Sequence, residues 1–154
     1  VSAWDVLAKK EIVFGKVSVI GGGLVGVETA EYLASRGCKV TIVEMMDQIA
    51  KEESNTVLPT LMKELNSHEV EVLTSAKLME ITENAVIVEK TVDEKTEKAE
   101  VASDFVVMAV GAKKNVAELN NCTLPIHYVG DCAGERPSNI DHAIKSAYDV
   151  ACEL

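Results

Sequence analysis

The segment KVSVIGGGLVG, residues 16–26, is a short apolar run that ends directly in a cluster of glycines. Val17, Val19 and Ile20 are β-branched, and such residues favour a strand. After Gly26, apolar side chains recur at the spacing of a helix that packs on a sheet. A strand, a tight turn and a helix therefore follow one another without a gap. This order predicts the first βαβ unit of a Rossmann-like fold.

The glycines have the spacing Gly21-x-Gly23-x-x-Gly26. In a strand-turn-helix context, Gly21 permits the sharp turn, Gly23 lets the backbone approach a pyrophosphate, and Gly26 lets helix and strand pack closely. The amides of the first helical turn and the helix dipole then stabilise a diphosphate without the help of a lysine. The pattern therefore predicts a dinucleotide site. Its phosphate-binding residues are predicted to be Gly21, Gly22, Gly23, Leu24, Val25 and Gly26.

Glu44 ends a second apolar run, residues 40–43, about twenty residues beyond the glycines. A carboxylate in this position can accept hydrogen bonds from the hydroxyls of an adenosine ribose. A 2′-phosphate beside it would meet like-charge repulsion of about 1 kcal/mol when well solvated and about 4 kcal/mol when partly desolvated. Glu44 therefore predicts NAD in preference to NADP. The alternative is a solvated glutamate that merely opens a loop.

Length, composition and net charge restrict the kinds of protein to which the chain can belong. A chain of 154 residues fits one domain or somewhat more, and its 47% hydrophobic but only 4% aromatic residues predict an aliphatic core of the kind found in parallel α/β sheets. The formal net charge of -10 disfavours contact with nucleic acid or anionic membranes. No apolar run reaches the roughly 18 residues of a membrane span, and no secretion signal is seen. We therefore expect a cytoplasmic protein.

The cysteines and histidines predict no metal site. No Cys-x-x-Cys pair occurs, so neither a dithiol redox centre nor a zinc or iron-sulfur site is indicated, and ordinary reduced thiols are expected. The alternative is a reactive thiol at Cys132, which lies in a glycine-containing turn. The histidines lack ligand spacing, and a catalytic base also needs a positioned partner, so no catalytic residue is predicted. The residues concerned are Cys38, Cys122, Cys132, Cys152, His68, His127 and His142.

Three helices are predicted besides the one after the glycines. Residues 2–7 are expected to form a short capped helical turn that leads into the first strand. Residues 57–65 carry leucines and a methionine at helical spacing, as core positions. Residues 139–154 form an amphipathic pattern, with Ser138 as a plausible N-cap.

Between residues 69 and 110 the hydrophobic period changes to two, which predicts a run of strands. The charged stretch 89–100 is flanked by apolar alternations and indicates a solvated antiparallel hairpin. Continuous apolar strands are predicted at 105–110 and 126–129, each followed by a glycine. The fold class is therefore α/β: a Rossmann-like parallel sheet with helices on both faces and an inserted antiparallel β-meander.

The order of these motifs resembles that of the pyridine nucleotide-disulfide oxidoreductase superfamily. The matching segments are the glycine motif at 21–30, Glu44, the Ala-Val-Gly at 109–111 and the Tyr-Val-Gly-Asp at 128–131. Within the superfamily, the Trp-Asp-Val-Leu at residues 4–7 and the Ala-Val-Gly-Ala-Lys segment look most like the reductase portion of NADH:flavin oxidoreductases related to old yellow enzyme. Enoate and 2,4-dienoyl-CoA reductases belong to that group.

The resemblance implies roles for further residues. Glu28 is implied to lie near the nicotinamide of NAD(H), and Val110 and Gly111 to pass along the same cofactor. Gly130 and Asp131 are implied to hold the ribityl and phosphate part of FAD. The alternative for Asp131 is a simple turn former.

The resemblance also implies that the chain is a portion of a longer protein. The chain begins at Val1 without Met, no second glycine fingerprint for FAD precedes it, and Lys114 stands where the family often has proline. We expect residues 1–15 to be a connecting segment, 16–111 the NAD(H)-binding domain and 112–154 part of an FAD-binding domain. FAD would then find only a half-site, and the barrel, FMN and iron-sulfur cluster of longer relatives would lie elsewhere.

The function expected from these features is to position NADH for hydride transfer to FAD in an intact flavoprotein, whose remainder would be the partner. One alternative is a non-catalytic dinucleotide-sensing module. Another is a methyltransferase-like nucleotide-binding domain, which also combines a glycine-rich turn with an acid after the second strand. The third glycine, Gly26, and the late Gly-Asp turn argue against the methyltransferase.

Overall fold

The computed structural model describes residues 1–51, 57–92, 95–119, 121–133 and 140–154. The chain divides into two compact units, Val1–Val110 and Gly111–Leu154. The domain limits expected from the sequence, with a connecting segment before residue 16 and a boundary after 111, stay a prediction.

The first unit holds three described helices and seven strands. The helices are α1 (Ala3–Leu7), α2 (Leu24–Ala34) and α3 (Leu58–Ser67). The strands are β1 (Lys16–Ile20), β2 (Lys39–Val43), β3 (Glu71–Leu73), β4 (Ala76–Ile81), β5 (Ala85–Val92), β6 (Lys95–Ala102) and β7 (Phe105–Met108). The second unit holds a 3₁₀ turn, Gly130–Cys132, and α4 (Ile140–Glu153).

Four strands form a parallel sheet in the order β3-β2-β1-β7. In β1, Val17 pairs with Val40 of β2 on one side and with Phe105 of β7 on the other. Because all four strands run the same way, their carboxyl ends meet at one edge. The strand order reverses at β1, which makes this edge the expected place for a ligand.

One face of the parallel sheet packs against the helices. Val19, Ile42 and Val107 are fully buried there, and each such side chain contributes roughly 1.5–3 kcal/mol through removal from water. The helical residues of the same core are Ala3, Val6, Val27, Ala30, Leu33, Ala34 and Leu65. Small and β-branched side chains dominate, as the low aromatic content predicts.

The other face of the sheet packs against an antiparallel meander, β4-β5-β6. Ile20 and Val43, which alternate with the helix-facing residues, form a second core with Val86 and Val88 of β5. The α/β class and the inserted meander are therefore confirmed. Helices were expected on both faces, and in the described part of this unit the meander covers the second face instead.

Several local predictions are confirmed. The Ser2 hydroxyl accepts a hydrogen bond from the Trp4 amide at 3.2 Å and caps α1. The helix predicted at 57–65 is α3, and the charged hairpin is β5-β6, in which Glu89 lies opposite Lys98. Such cross-strand pairs of opposite charge favour the antiparallel register.

One predicted strand is wrong. Residues 126–129 form no strand in the described part of the chain, although the backbone at Val129 is extended. An apolar run supplies the side chains of a strand but not the neighbouring strand that must accept its backbone hydrogen bonds. The proposed cap Ser138 lies outside the described residues, and α4 begins at Ile140.

We find no helix among the described residues with the length and apolar character needed to cross a membrane.

Candidate dinucleotide-binding site

The glycine turn lies at the carboxyl edge of the parallel sheet. β1 ends at Ile20, and the Gly21 amide donates to the carbonyl of Val43 in β2 at 2.9 Å. On the other side of β1, the Ala109 amide donates to the carbonyl of Ile20 at 2.8 Å. The turn therefore leaves the sheet between the ends of β2 and β7, where the strand order reverses.

Two of the glycines are required by close contacts within the protein. Gly21 has φ +106°, and a Cβ added to it would lie 2.5 Å from the carbonyl oxygen of Ala109. A Cβ on Gly26 would overlap the carbonyl oxygen of Gly21. These positions give the tight turn and the close packing of helix on strand that the spacing predicts.

Gly23 is different because the space beside it is open. It is exposed, it has φ -66° and ψ 174°, and a Cβ added to it would meet no protein atom within 4 Å. This backbone conformation is available to any residue. No steric contact with the described part of the protein therefore requires glycine here, whereas a ligand that approaches the backbone closely would require it.

The amides at the start of α2 are available to such a ligand. The first helical bond runs from the Val27 amide to the Gly23 carbonyl at 3.0 Å. In the described part of the chain, no group accepts a hydrogen bond from the amides of Gly23, Leu24 or Val25. Unpaired amides at the positive end of a helix dipole are a common site for phosphate.

Glu44 lies directly behind the turn. Its side chain is only 8% exposed, and its Oε2 accepts a hydrogen bond from the Gly22 amide at 2.6 Å. Its Oε1 accepts a second hydrogen bond, from the Met46 amide at 2.7 Å. Burial and these two bonds exclude a solvated glutamate at a loop entrance. Each carboxylate oxygen keeps a further lone pair, so the carboxylate can still accept a ribose hydroxyl.

The loop after β2 folds back over the glycine turn, which the sequence reasoning missed. The Ala50 amide donates to the Gly22 carbonyl at 2.7 Å, and Ala50 has φ +48°. Ile49 is 4% exposed and packs on Gly22, where an added Cβ would lie 2.5 Å from its Cγ2. The available signal was the apolar pair Ile49-Ala50 within the otherwise polar stretch 47–55.

Two of the residues predicted to lie beside the nicotinamide belong to the first unit. Glu28 is exposed on α2, and Val110, which directly follows Ala109, is 68% exposed. Gly111 has φ +101° and begins the second unit. The structure therefore brings Glu28 and Val110 to the unit that carries the glycine turn. Their roles beside a nicotinamide stay predictions.

In the second unit, Gly130 and Asp131 open the short 3₁₀ turn. Gly130 has φ +63°, and its amide donates to the Ser146 hydroxyl of α4 at 2.8 Å. This bond ties the turn to the helix within the unit. The flavin-binding role of Gly130 and Asp131 stays a prediction.

No cluster of three or more histidine, cysteine or acidic side chains suited to a metal ion occurs in the part of the chain that the structure describes. Cys38 is buried, and its thiol donates to the Val13 carbonyl at 3.6 Å. Burial raises the pKa of the Cys38 thiol. A thiol held in its neutral form is a poor nucleophile, so Cys38 has a structural role.

Comparison with known proteins gives relatives over almost the whole chain. The chain is 45% identical over 152 residues to bilirubin reductase of Mediterraneibacter gnavus, and the aligned region covers 97% of this chain and 23% of that protein. It is 33% identical over 159 residues to NADH oxidase of Thermoanaerobacter brockii, and the aligned region covers 99% of this chain and 24% of that protein. The chain therefore spans about a quarter of the length of these relatives.

Solved structures share the fold. A 2-naphthoyl-CoA reductase in complex with 2-naphthoyl-CoA superposes with a TM-score of 0.86 at 23% identity, covering 100% of this chain and 23% of that one. The ferredoxin reductase for the CYP199A2 system of Rhodopseudomonas palustris superposes with a TM-score of 0.66 at 22% identity, and the superposition covers 97% of this chain and 43% of that one.

A family model described as pyridine nucleotide-disulphide oxidoreductase matches residues 5–130. The match includes the glycine turn, Glu44, the end of β7 and Gly130, in the order in which they occur here. The chain belongs to the pyridine nucleotide-disulphide oxidoreductase family.

Proposed function

We propose that the first unit, Val1–Val110, binds NADH and positions it for hydride transfer to FAD within a longer flavoprotein. The observation that carries this proposal is Gly23: a Cβ added there would meet no atom of the described residues within 4 Å, and nearby the amides of Gly23, Leu24 and Val25 have no acceptor in that part of the chain. A pyrophosphate fits this arrangement, since its oxygens accept hydrogen bonds from backbone N–H groups that no side chain obstructs.

The remaining residues fit the two ends of the same cofactor. Glu44 would accept hydrogen bonds from the adenosine ribose, while Glu28, Val110 and Gly111 would lie along the nicotinamide half. When bound, the nicotinamide supplies the hydride and the flavin accepts it. The residues of this chain then bind and orient the dinucleotide, and none of them needs to take part in a covalent step.

Glu44 supports NADH in preference to NADPH. Its carboxylate is buried, and a 2′-phosphate next to it would bring like charges together in a region from which water is partly excluded. The relative from T. brockii is an NADH oxidase, and a structure with this fold, NDH2 from Plasmodium falciparum, is a complex with NADH.

The parent protein is proposed to be an NADH:flavin oxidoreductase of the type related to old yellow enzyme. The motifs at residues 4–7 and 109–113 support this assignment, and a cinnamate reductase of Clostridium sporogenes is 32% identical over 159 residues. Gly130 and Asp131 would supply half of the FAD site, and the remainder of the flavoprotein would supply the rest. Such a protein would act in the cytoplasm, without nucleic acid or membrane as partner.

The cofactor assignment is tested by calorimetric titration of the chain with NADH, NADPH and S-adenosylmethionine. We expect NADH to bind most tightly. Tighter binding of S-adenosylmethionine would favour the methyltransferase-like alternative, and tighter binding of NADPH would remove Glu44 from its assigned role. Binding of NADH without electron transfer in the flavin-loaded, full-length protein would favour the sensing module.

The pyrophosphate placement is tested with Gly23→Val. The conformation at Gly23 is available to valine, and an added Cβ meets no atom of the described residues, so the variant should fold, with a loss of at most about 1 kcal/mol because valine caps a helix less well than glycine. The new side chain would fill the phosphate position, so NADH affinity should fall at least about tenfold. Ala8→Val, at the exposed C-cap of α1, is the matched control and should bind normally. Unchanged NADH affinity in Gly23→Val would refute the placement.

The flavin inference has its own test. FAD is added to the chain and, separately, to the full-length protein, and binding is followed by the quenching of flavin fluorescence. We expect weak binding by the chain and tight binding by the full-length protein. Tight binding by the chain alone would contradict the half-site at Gly130 and Asp131.

A further inference from the structure

We infer that Glu44 is a positioning residue for the phosphate-binding turn, in addition to the ribose contact on which the proposed function relies. The inference rests on that proposed function, because it concerns how the NADH pyrophosphate finds its amides. Its basis is the pair of hydrogen bonds that Glu44 makes inside the protein, one to the turn and one to the loop above it.

The first step concerns the two peptide groups that flank Gly22. A peptide group is planar, so its N–H and C=O point in opposite directions and are fixed together. The Gly22 amide is held by Glu44 Oε2 at 2.6 Å, and the Gly22 carbonyl is held by the Ala50 amide at 2.7 Å. That carbonyl shares its plane with the Gly23 amide. The bond from Ala50 therefore fixes the direction of the Gly23 N–H.

The second step concerns what holds Ala50 in place. The loop from Met45 to Ala50 is anchored at its start by the bond from the Met46 amide to Glu44 Oε1. The Met46 carbonyl accepts from the Ser75 amide at 2.7 Å, and Ile49 is buried on Gly22. One carboxylate therefore binds both the turn and the loop that orients it.

The third step is the consequence for cofactor selectivity. An arginine in place of Glu44 would bring a charge suited to a 2′-phosphate, but it would leave the amides of Gly22 and Met46 without their acceptor. An amide buried without a partner destabilises the conformation that buries it. We therefore expect Glu44→Arg to weaken NADH binding without a matching gain for NADPH. A simple charge reversal at Glu44 would therefore not convert the site from NADH to NADPH selectivity.

The test separates the ribose contact from the positioning role by changing the ligand. An NADH analogue with a 2′,3′-dideoxyadenosine ribose keeps the pyrophosphate but cannot bond to Glu44. In Glu44→Gln, the affinity for this analogue should fall on the order of tenfold, as after loss of a charge-assisted hydrogen bond. The Gly22 amide proton should also shift upfield in the NMR spectrum. The control is Glu71→Gln, whose carboxylate accepts a hydrogen bond from Thr41 on the neighbouring strand, away from the glycine turn, and its affinity should stay within about twofold.

Two outcomes separate this inference from the proposed function. If Glu44→Gln weakens NADH binding but binds the dideoxy analogue as tightly as the unmodified chain does, Glu44 serves the ribose alone and the inference is overturned. If the unmodified chain binds neither ligand, the proposed function itself fails, and the inference with it.

A second variant covers the case in which Glu44→Gln does not fold. Ile49→Ala removes side-chain packing from Gly22 while the carboxylate and the ribose contact remain. We expect equal losses of affinity for NADH and for the dideoxy analogue, with the circular dichroism spectrum unchanged. Normal affinity for both ligands in a folded Ile49→Ala would overturn the coupling between loop and turn.

Discussion

At the scale of single residues, two glycines of one turn are constrained for different reasons. Gly26 is required by the protein itself, because an added Cβ would overlap the Gly21 carbonyl oxygen. Gly23 meets no such obstacle. The two positions therefore separate the effect of a substitution on stability from its effect on a ligand.

We expect Gly26→Ala to lower the free energy of unfolding by about 1–3 kcal/mol, the usual cost of forcing an extra group into a packed interior. Gly23→Ala is the control, and its free energy of unfolding should fall by less than about 1 kcal/mol, because alanine is only a poorer N-cap than glycine. Urea denaturation followed by circular dichroism measures both. Equal stabilities of the two variants would contradict the contact at Gly26.

Cys38 predicts a dependence of stability on pH. Burial raises the pKa of its thiol in the folded chain above the ordinary 9.0, so the unfolded chain releases the proton first as the pH rises. The contribution of Cys38 to stability is therefore complete below about pH 9 and is lost above it. We expect the melting temperature of the unmodified chain to fall more steeply between about pH 8 and about pH 10 than that of Cys38→Ala. Parallel curves would show that Cys38 does not contribute.

The sequence predicts the turn better than it predicts what surrounds it. The tasks of Gly21, Gly23 and Gly26 follow from spacing alone, because each depends on an adjacent strand and helix. The contact between Ala50 and Gly22 does not follow from spacing, because it depends on the path of the loop after β2. That path depends in turn on the burial of Ile49, which is seen only in the folded chain.

At the scale of elements, a pair of buried hydroxyls joins β1 to the turn before β7. Ser18 is fully buried in the middle of β1, and its Oγ lies 2.5 Å from Ser103 Oγ. The Ser103 hydroxyl in turn donates to the Val101 carbonyl at 3.1 Å. We therefore assign the proton between the two hydroxyls to Ser18.

Because Ser18 donates and Ser103 accepts, replacing one serine or the other with alanine should change the free energy of unfolding by different amounts. Ser103→Ala leaves the Ser18 hydroxyl buried without an acceptor and should cost about 1–3 kcal/mol of unfolding free energy. Ser18→Ala removes the donor and leaves Ser103 still bonded to Val101, so its cost should be about 1 kcal/mol or less. Chemical denaturation of both variants gives the comparison. A larger loss in Ser18→Ala would reverse the assigned donor.

An apolar run forms a strand only where a neighbouring strand pairs with its backbone, and the sequence of the run alone does not show that neighbour. The runs at β7 and at 126–129 are both predicted as strands from the sequence, yet only β7 has a partner, in β1, among the described residues. The meander was predicted because its strands are consecutive and alternate in polarity. Its position on a face expected to carry helices depends on Ile20 and Val43, whose burial requires the folded sheet.

At the scale of the molecule, the two units differ in how much they bury. Every fully or nearly buried apolar side chain of the described residues lies between Ala3 and Val107, and α4 has no buried residue. Regions with few buried apolar contacts open locally at low free energy.

We expect hydrogen exchange to divide the chain in the same way. Amides in the central strands β1 and β2 should exchange only through global unfolding, whereas those of α4 should exchange several orders of magnitude faster. Mass spectrometry after a deuterium pulse gives the rates for both regions. Equal protection of α4 and β1 would show that α4 is stabilised by more than the contacts described.

The strand order has a consequence for how the chain is synthesised. Since β1 emerges from the ribosome long before β7, its pairing edge beside Val17 stays open until Phe105 has been translated. An open strand edge invites pairing with another nascent chain. Translation arrest before Phe105 should therefore yield aggregates or chaperone-bound chains, whereas release after Met108 should not. The strand that covers this edge of β1, and not the residue that completes the glycine turn, would decide when the nascent chain can no longer associate through β1.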